Sequence, residues 1–272
     1  HPLREFEDQD RILQETRDLW KLVFNDSDKF MDLYFSRVYK PKYNVTCQLN
    51  HHVVAALQTL PYALLYHGQE LPAVYISGVS THPDYRHQEI GNNLMRQAHF
   101  DLFYKNVVYA ALIPAEDWLY EWYAKCGYAP RITCLPHSTD VFSTSFEAFD
   151  RWQREKTCIL LHKQDDFEVA KEDILLAGAD YQPAREPIQG MIRVINALKA
   201  LRSYAAQNPS LNCTLRIEDD HDIPMNNAYY ILSEGQVKQT DEPDAAARRM
   251  SINELADWIF QNEHAEMNLM LN

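Results

Sequence analysis

The residues best suited to chemistry lie in one run: Gly78-Val79-Ser80-Thr81-His82-Pro83-Asp84-Tyr85-Arg86-His87-Gln88-Glu89-Ile90-Gly91-Asn92-Asn93-Leu94-Met95. An apolar stretch passes into a polar loop and then into helical spacing. A loop that feeds a helix in this way presents several backbone N–H groups with no upstream carbonyl to receive them. Together with the positive end of the helix dipole they make an anion site suited to a pyrophosphate. Gly91 lets the backbone come close to a phosphate. An ordinary strand–helix crossover reads the same way, so the run alone leaves both readings open.

Other chemistry-bearing residues are more scattered. The chain has 11 histidines. His51-His52 falls in an expected turn with no ligand partner at metal spacing, His82 and His87 flank a loop, and no H-E-x-x-H pattern occurs, so no metal site is expected. Asp219-Asp220-His221-Asp222 has calcium-type ligands but reads better as a solvated turn. Cys47, Cys126, Cys134, Cys158 and Cys213 include no C-x-x-C pair, which points to free thiols in a reducing, cytoplasmic compartment. The chain begins with His1 rather than Met, and no secretory leader is visible in it.

The elements that must position these residues follow from periodicity and turn signals. Leu13, Leu19, Trp20, Val23 and Phe24 recur at helical spacing. Asp26-Ser27-Asp28 breaks that pattern and caps a second helix carrying Phe30, Leu33, Tyr34 and Val38. Residues 45–81 read as an antiparallel meander with turns at Asn50-His51-His52 and His67-Gly68-Gln69. Pro61 marks a bulge or an edge in its long middle strand. Ile90, Leu94, Ala98 and Leu102 share a helix face. A buried strand is expected over 107–113, a short helix over 118–125 closed by Gly127, and another strand over 131–135. Residues 146–154, 157–162 and 166–176 read as helix, strand and helix. Pro183 and Pro187 mark a boundary. Beyond it, Ile192, Ile195, Leu198, Leu201 and Tyr204 form a helical stripe, 213–217 and 229–232 are strands, and Ser251 with Glu254 makes a capping box.

With 272 residues, 46% hydrophobic and 24% charged, the composition is that of an ordinary globular chain able to bury a sizeable core. Acidic side chains outnumber basic ones by 39 to 26, a net charge of −13 with no basic block. That argues against nucleic acid and favours a cationic partner such as an amine. No apolar run is long enough to span a membrane.

The run at 78–95 resembles the coenzyme-A loop of GNAT acetyltransferases, in which Arg/Gln-x-x-Gly-x-Gly/Ala follows a strand; the matching positions are Arg86, Glu89 and Gly91. Glu89 stands where that family usually has glycine. Trp122-Tyr123-Ala124-Lys125-Cys126-Gly127-Tyr128 resembles the family's later aromatic-Tyr-x-x-x-Gly-aromatic segment. The two motifs lie about one strand–helix unit apart, and the likeness covers roughly residues 15–135. Residues Gly190 to Phe260 resemble the sterol-carrier-protein-like domain that closes Eis-like (enhanced intracellular survival) acetyltransferases.

The resemblance implies an α+β chain with a mixed, mostly antiparallel central sheet flanked by helices. Residues 1–135 would be the GNAT domain, 136–187 a connecting α/β segment in place of a reduced second GNAT-like unit, and 188–272 a smaller sterol-carrier-like domain. It implies acetyl-CoA as cofactor, held by Val79, Ser80, Thr81, Arg86, His87, Gln88, Glu89, Ile90, Gly91 and Asn92. The backbone of Val79 and Thr81 would meet the pantetheine arm, and the amides from His87 to Asn92 the pyrophosphate. Tyr123 would protonate the departing thiolate, a role open to a phenol, with Tyr120 one turn earlier as the fallback. The α-carboxylate of Asn272, after the apolar tail Met267 to Leu271, would be the general base. Glu116 and Asp117 are alternative bases or amine ligands, or simply an acidic helix start. The activity implied is direct acetyl transfer in a ternary complex to a primary amine, on a small molecule or a protein, with a homo-oligomer left open. The competing readings are a non-catalytic coenzyme-A or acyl-CoA-binding module and a lipid carrier.

Overall fold

The computed structural model describes residues 2–136, 143–182 and 184–271, with side chains from residue 8 onward. In chain order the elements are α1 (Pro2–Phe24), α2 (Asp28–Leu33), β1 (Asn44–Leu49), β2 (His52–Tyr66), β3 (Gln69–Thr81), α3 (Ile90–Tyr104), β4 (Tyr109–Leu112), α4 (Leu119–Lys125) and β5 (Ala129–Cys134). They continue with α5 (Phe146–Arg154), β6 (Cys158–Leu161), α6 (Gln164–Ala177), β7 (Ile188–Val194), α7 (Ala197–Gln207) and β8 (Cys213–Ile217). The last are β9 (Tyr229–Ser233), β10 (Gln236–Thr240), β11 (Arg248–Met250), α8 (Ile252–Phe260) and β12 (Ala265–Met267).

Local chemistry accounts for most boundaries. Ser27 caps α2, its Oγ accepting from the Phe30 amide at 3.2 Å. The apolar spacing that continues to Val38 is carried by a wider π turn, Tyr34–Val38. The hairpin turns have positive φ at Asn50 (50°), His51 (66°), His67 (47°) and Gly68 (84°), the mirror-image geometry that suits strand twist. Ser251 and Glu254 form the reciprocal capping box at α8.

The large sheet has eight strands in the order β1-β2-β3-β4-β7-β5-β12-β6, and β6 also pairs with β2, so the sheet closes on itself. It is mixed: β3–β4, β5–β12 and β6–β12 are parallel and the remaining pairs antiparallel. On the outer edge of β2, β1 is paired as far as Gln58 and β6 takes over at Ala63. Pro61 lies in the gap between them, where no ladder bond is asked of it.

Helix α3 packs Leu94, Met95, Ala98 and Leu102 on one face of the sheet, against Val74, Ile76, Ala110 and Leu112. The other face, with Ala73, Tyr75, Ala111, Ile192 and Val194, meets α7 and α8. A second sheet, β10-β9-β8-β11, lies entirely within the last segment. That segment also contributes to the first sheet: β7 sits between β4 and β5, and β12 between β5 and β6. The stripe expected from Ile192 as a single helix therefore divides. Ile192 lies in β7 and Ile195 just after it, and α7 starts only at Ala197. Met191 to Ile195 is buried without alternation because both faces of β7 are covered, and a short run of this kind mimics helical spacing.

The acidic turn at 219–222 is not simply solvated. Asp220 is 1% exposed and pairs with the equally buried Arg193 at 2.7 Å. Asp222 accepts from His99 Nδ1 at 2.7 Å, and His99 Nε2 meets the Tyr128 hydroxyl at 2.8 Å. An ionised carboxylate can only accept, so the proton of this neutral imidazole is on Nδ1 and the phenol donates to Nε2. Burial foremost, with the Arg193 charge, lowers the His99 pKa to about 4. No helix among the described residues is long and apolar enough to cross a membrane.

Candidate active site

Strands β3 and β4 pair through Ala73–Tyr109, Val74–Ala110 and Tyr75–Ala111 and then part. β3 runs on to Thr81 with only β2 beside it, leaving its other edge open from Ile76. The parting coincides with a bulge between the pairs Gln58–Ser77 and Ala56–Ser80, a feature that bends and twists a strand. Gly78 occupies the bulge at φ 64°, and a Cβ there would stand 2.1 Å from the Trp20 ring, so this position requires glycine. The His82 amide donates to Val54 O at 2.8 Å. Backbone groups alternate along a strand, so Ser80 faces β2 while Thr81, and Val79 two residues before it, face the open side.

The loop after β3 is held by its own atoms. His82 Nδ1 accepts from the Asp84 amide at 3.2 Å, and Arg86 Nε donates to Thr81 O at 3.3 Å. The first helical bond of α3 runs from Asn93 N to Glu89 O at 2.9 Å. Ahead of it, the amides from His87 to Asn92 find no acceptor among the described residues. Gly91 packs under the Trp122 ring and the Thr81 side chain, at 3.4 Å and 3.7 Å from where its Cβ would be. The end of β3, the start of α3 and α4 therefore meet at one point. Glu89 caps α3 in the left-handed conformation (φ 61°), as His87 does two residues before (φ 62°). The Glu89 carboxylate accepts from Asn92 Nδ2 at 2.6 Å.

Tyr123 stands on α4, 5% exposed, its ring 4.8 Å from Trp122 and 5.9 Å from Tyr128. It packs with Val74 and Ile76 at the parting of the strands. Its hydroxyl has no hydrogen-bond partner among the described residues yet is not sealed from solvent. Burial raises its pKa, so the phenol stays protonated. Tyr120 is instead tied to β7, its hydroxyl donating to Gln189 O at 2.6 Å. Glu116 and Asp117 are exposed, and the Glu116 carboxylate accepts from the Trp118 indole.

Behind the parted strands lies a cavity of about 200 Å³. Tyr75, the last β3 residue paired with β4, lines it from the face opposite Val74 and Ile76. The Tyr75 phenol is bonded by the backbone of Ile113, just past β4. Leu60, Pro61 and Tyr62 form the wall at the gap in the β2 edge, His162 and the start of α6 a second wall, and Leu269 to Leu271 a third. His162 is buried and bonded through Nε2 to Asn268 O, and burial lowers its pKa.

Residues 5–131 match the family model described as the acetyltransferase (GNAT) domain. Solved structures agree on the fold across nearly the whole chain. A GCN5-related N-acetyltransferase from Anabaena variabilis is 14% identical with a TM-score of 0.67, over 89% of this chain and 86% of that one. One from Kribbella flavida is 12% identical with a TM-score of 0.62, over 96% and 97%. Eis1 from Mycobacterium abscessus is 9% identical with a TM-score of 0.60, over 91% and 86%. No curated protein sequence matches the chain significantly.

Within the matched stretch and beyond it the expected residues divide. Val79, Thr81 and the run His87, Gln88, Glu89, Ile90, Gly91 and Asn92 gather around the open β3 edge and the α3 start. Arg86 is exposed, with its side chain turned back to Thr81. Ser80 is buried, and its hydroxyl bonds Ala56 O at 3.4 Å, so its side chain belongs to the sheet. Asn272 lies outside the described residues. Sequence reasoning quoted Trp122 only as part of a motif and gave no site role to Tyr62, Tyr75 or His162, which lie in or beside apolar or aromatic runs where nothing marks a site wall. Among the described residues no group of three His, Cys, Asp or Glu side chains is placed to hold a metal.

Proposed function

We propose that this chain is an N-acetyltransferase that moves the acetyl group of acetyl-CoA directly to a primary amine within a ternary complex. The carrying observation is the open edge of β3 from Ile76 to Thr81, leading straight into the unpaired amides at the start of α3. Acetyl-CoA supplies a thioester, an acyl group already activated toward an amine.

The residues present fit that ligand. The Val79 and Thr81 backbone offers the edge on which an extended, amide-bearing arm lies as a missing strand does. The amides from His87 to Asn92 suit a pyrophosphate, and Gly91 presents no side chain to it. Glu89, the departure from the family pattern, has its carboxylate engaged by Asn92. Tyr123, kept protonated by burial, is suited to give a proton to a thiolate leaving group. Within the same reading, residues 136–187 connect the GNAT domain to a sterol-carrier-like, Eis-type segment over 188–272. The four-stranded sheet with α7 and α8 supports that assignment.

Calorimetry with acetyl-CoA on the unmodified protein and on Glu89→Gly tests the reading. Micromolar binding followed by transfer to an amine is expected. Binding without transfer to any amine would favour a silent coenzyme-A module, and no binding by either protein would overturn the assignment.

A further inference from the structure

The cavity behind the parted strands differs in charge from the molecule around it. The chain carries −13 overall. The cavity is lined by Arg37, Lys40 and Lys163 against Asp165 and Asp166. Each carboxylate has a partner. Asp165 lies 3.1 Å from Arg37, and Asp166 accepts from the Lys163 amide at 2.9 Å at the start of α6. Arg37 is itself held by Asp165 and by Glu172 at 2.7 Å. The ammonium groups of Lys40 and Lys163 have no ion-pair partner among the described residues, and both side chains are exposed at the rim. The remaining wall is apolar and aromatic, formed by Leu60, Tyr62, Tyr75, Val169 and the tail at Leu269 to Leu271.

We propose that this cavity takes the acceptor, and that the acceptor is a small primary amine with an apolar or aromatic body and an anionic group, as in an apolar amino acid, rather than a polyamine. The inference rests on the acetyltransferase reading. The anionic group meets Lys40 and Lys163 at the rim, the body fills the apolar wall, and the amine reaches toward Tyr75 where β3 and β4 part. Among the described residues, the lining carboxylates Asp165 and Asp166 each already have a partner, Arg37 and the Lys163 amide. Nearby cations and a low-dielectric wall both favour the neutral amine, the form whose lone pair can form the new N–C bond as the S–C bond of the thioester breaks. A polycation, by contrast, would meet the like charges of Lys40 and Lys163 at the rim.

The test uses the whole chain and two readouts. In the first, transfer from acetyl-CoA is measured to phenylalanine, to phenylalaninamide (the same amine and ring without the carboxylate) and to spermidine. Phenylalanine is expected to be preferred by about tenfold or more in kcat/KM, and the double variant Lys40→Gln/Lys163→Gln to raise its KM by a similar factor with kcat and acetyl-CoA affinity nearly unchanged. In the second, calorimetry with N-acetylphenylalanine needs no turnover; binding that weakens in the double variant is expected. Equal use of the amide, preference for spermidine, or no binding of N-acetylphenylalanine would overturn the proposal. Failure of acetyl-CoA to bind would instead overturn the acetyltransferase reading, while N-acetylphenylalanine still reports on the cavity.

Discussion

Tyr123 is a core aromatic that the proposed function also makes a proton donor. Its ring shares a cluster with Val74, Ile76 and Tyr128, while its hydroxyl has no hydrogen-bond partner among the described residues. Replacing it with phenylalanine keeps the packing and removes the proton. Tyr123→Phe is expected to leave acetyl-CoA affinity within about twofold and to lower kcat about a hundredfold, the scale of general acid catalysis. Stopped-turnover assays beside calorimetry check this, and an undiminished kcat would remove Tyr123 from proton transfer. The motif made Tyr123 legible in the sequence. Tyr75 and His162 were not legible, because a tyrosine in a strand and a histidine at a strand end have the same local appearance whether they line a cavity or fill a core.

At the scale of elements, the bulge in β3 governs the site, because it falls where β3 leaves β4. It depends on Gly78, whose positive φ and contact with Trp20 both exclude a side chain. Gly78→Ala is expected to destabilise the fold by about 3 kcal/mol, combining overpacking with a strained backbone. Chemical denaturation would show it as a lower midpoint at unchanged slope, and a midpoint like that of the unmodified protein would contradict the close packing described. The meander, its turns, α3 and the α8 capping box were all readable locally, since hairpin residues and caps act over a few positions. β7 was misread because a strand covered on both faces loses its alternation. β10, β11 and β12 went unread because each is three to five residues long and held by its neighbours rather than by propensity.

For the molecule as a whole, two of the contacts that bind the last segment to the first can be tested directly. One is the placement of β7 between β4 and β5. A chain ending at residue 187 would leave that gap unfilled, so it is expected to be unfolded or aggregated, as rapid proteolysis and circular dichroism would reveal. A cooperative, protease-resistant 1–187 fragment would show the sheet to be self-sufficient. The other contact is the Tyr128–His99–Asp222 chain beside the Arg193–Asp220 pair. His99 has a folded pKa of about 4, below the ordinary 6.5, so the unfolded chain binds its proton first as the pH falls. Stability is therefore present above about 6.5 and is lost toward 4, by about 3 kcal/mol at most. Asp222, with its pKa lowered by the His99 bond and the Arg193 and Arg96 charges despite its burial, adds a loss in the same direction below the ordinary carboxylate range. Denaturation midpoints between pH 7 and pH 4 should fall for the unmodified protein and fall less for His99→Gln; equal slopes would place the acid sensitivity elsewhere.

The sequence by itself determined the loop from β3 into α3, the tyrosine on α4 and the meander before them, because each depends on spacing within a single element or on turn chemistry between adjacent ones. Only the tertiary structure decided where β7 and β12 pair, that β6 closes the sheet on β2, and that Lys40, Tyr75, His162 and Leu271 line one cavity. Those residues come from four distant parts of the chain. Pairing between strands far apart in sequence is chosen by which edges and faces remain uncovered, and no local pattern carries that information.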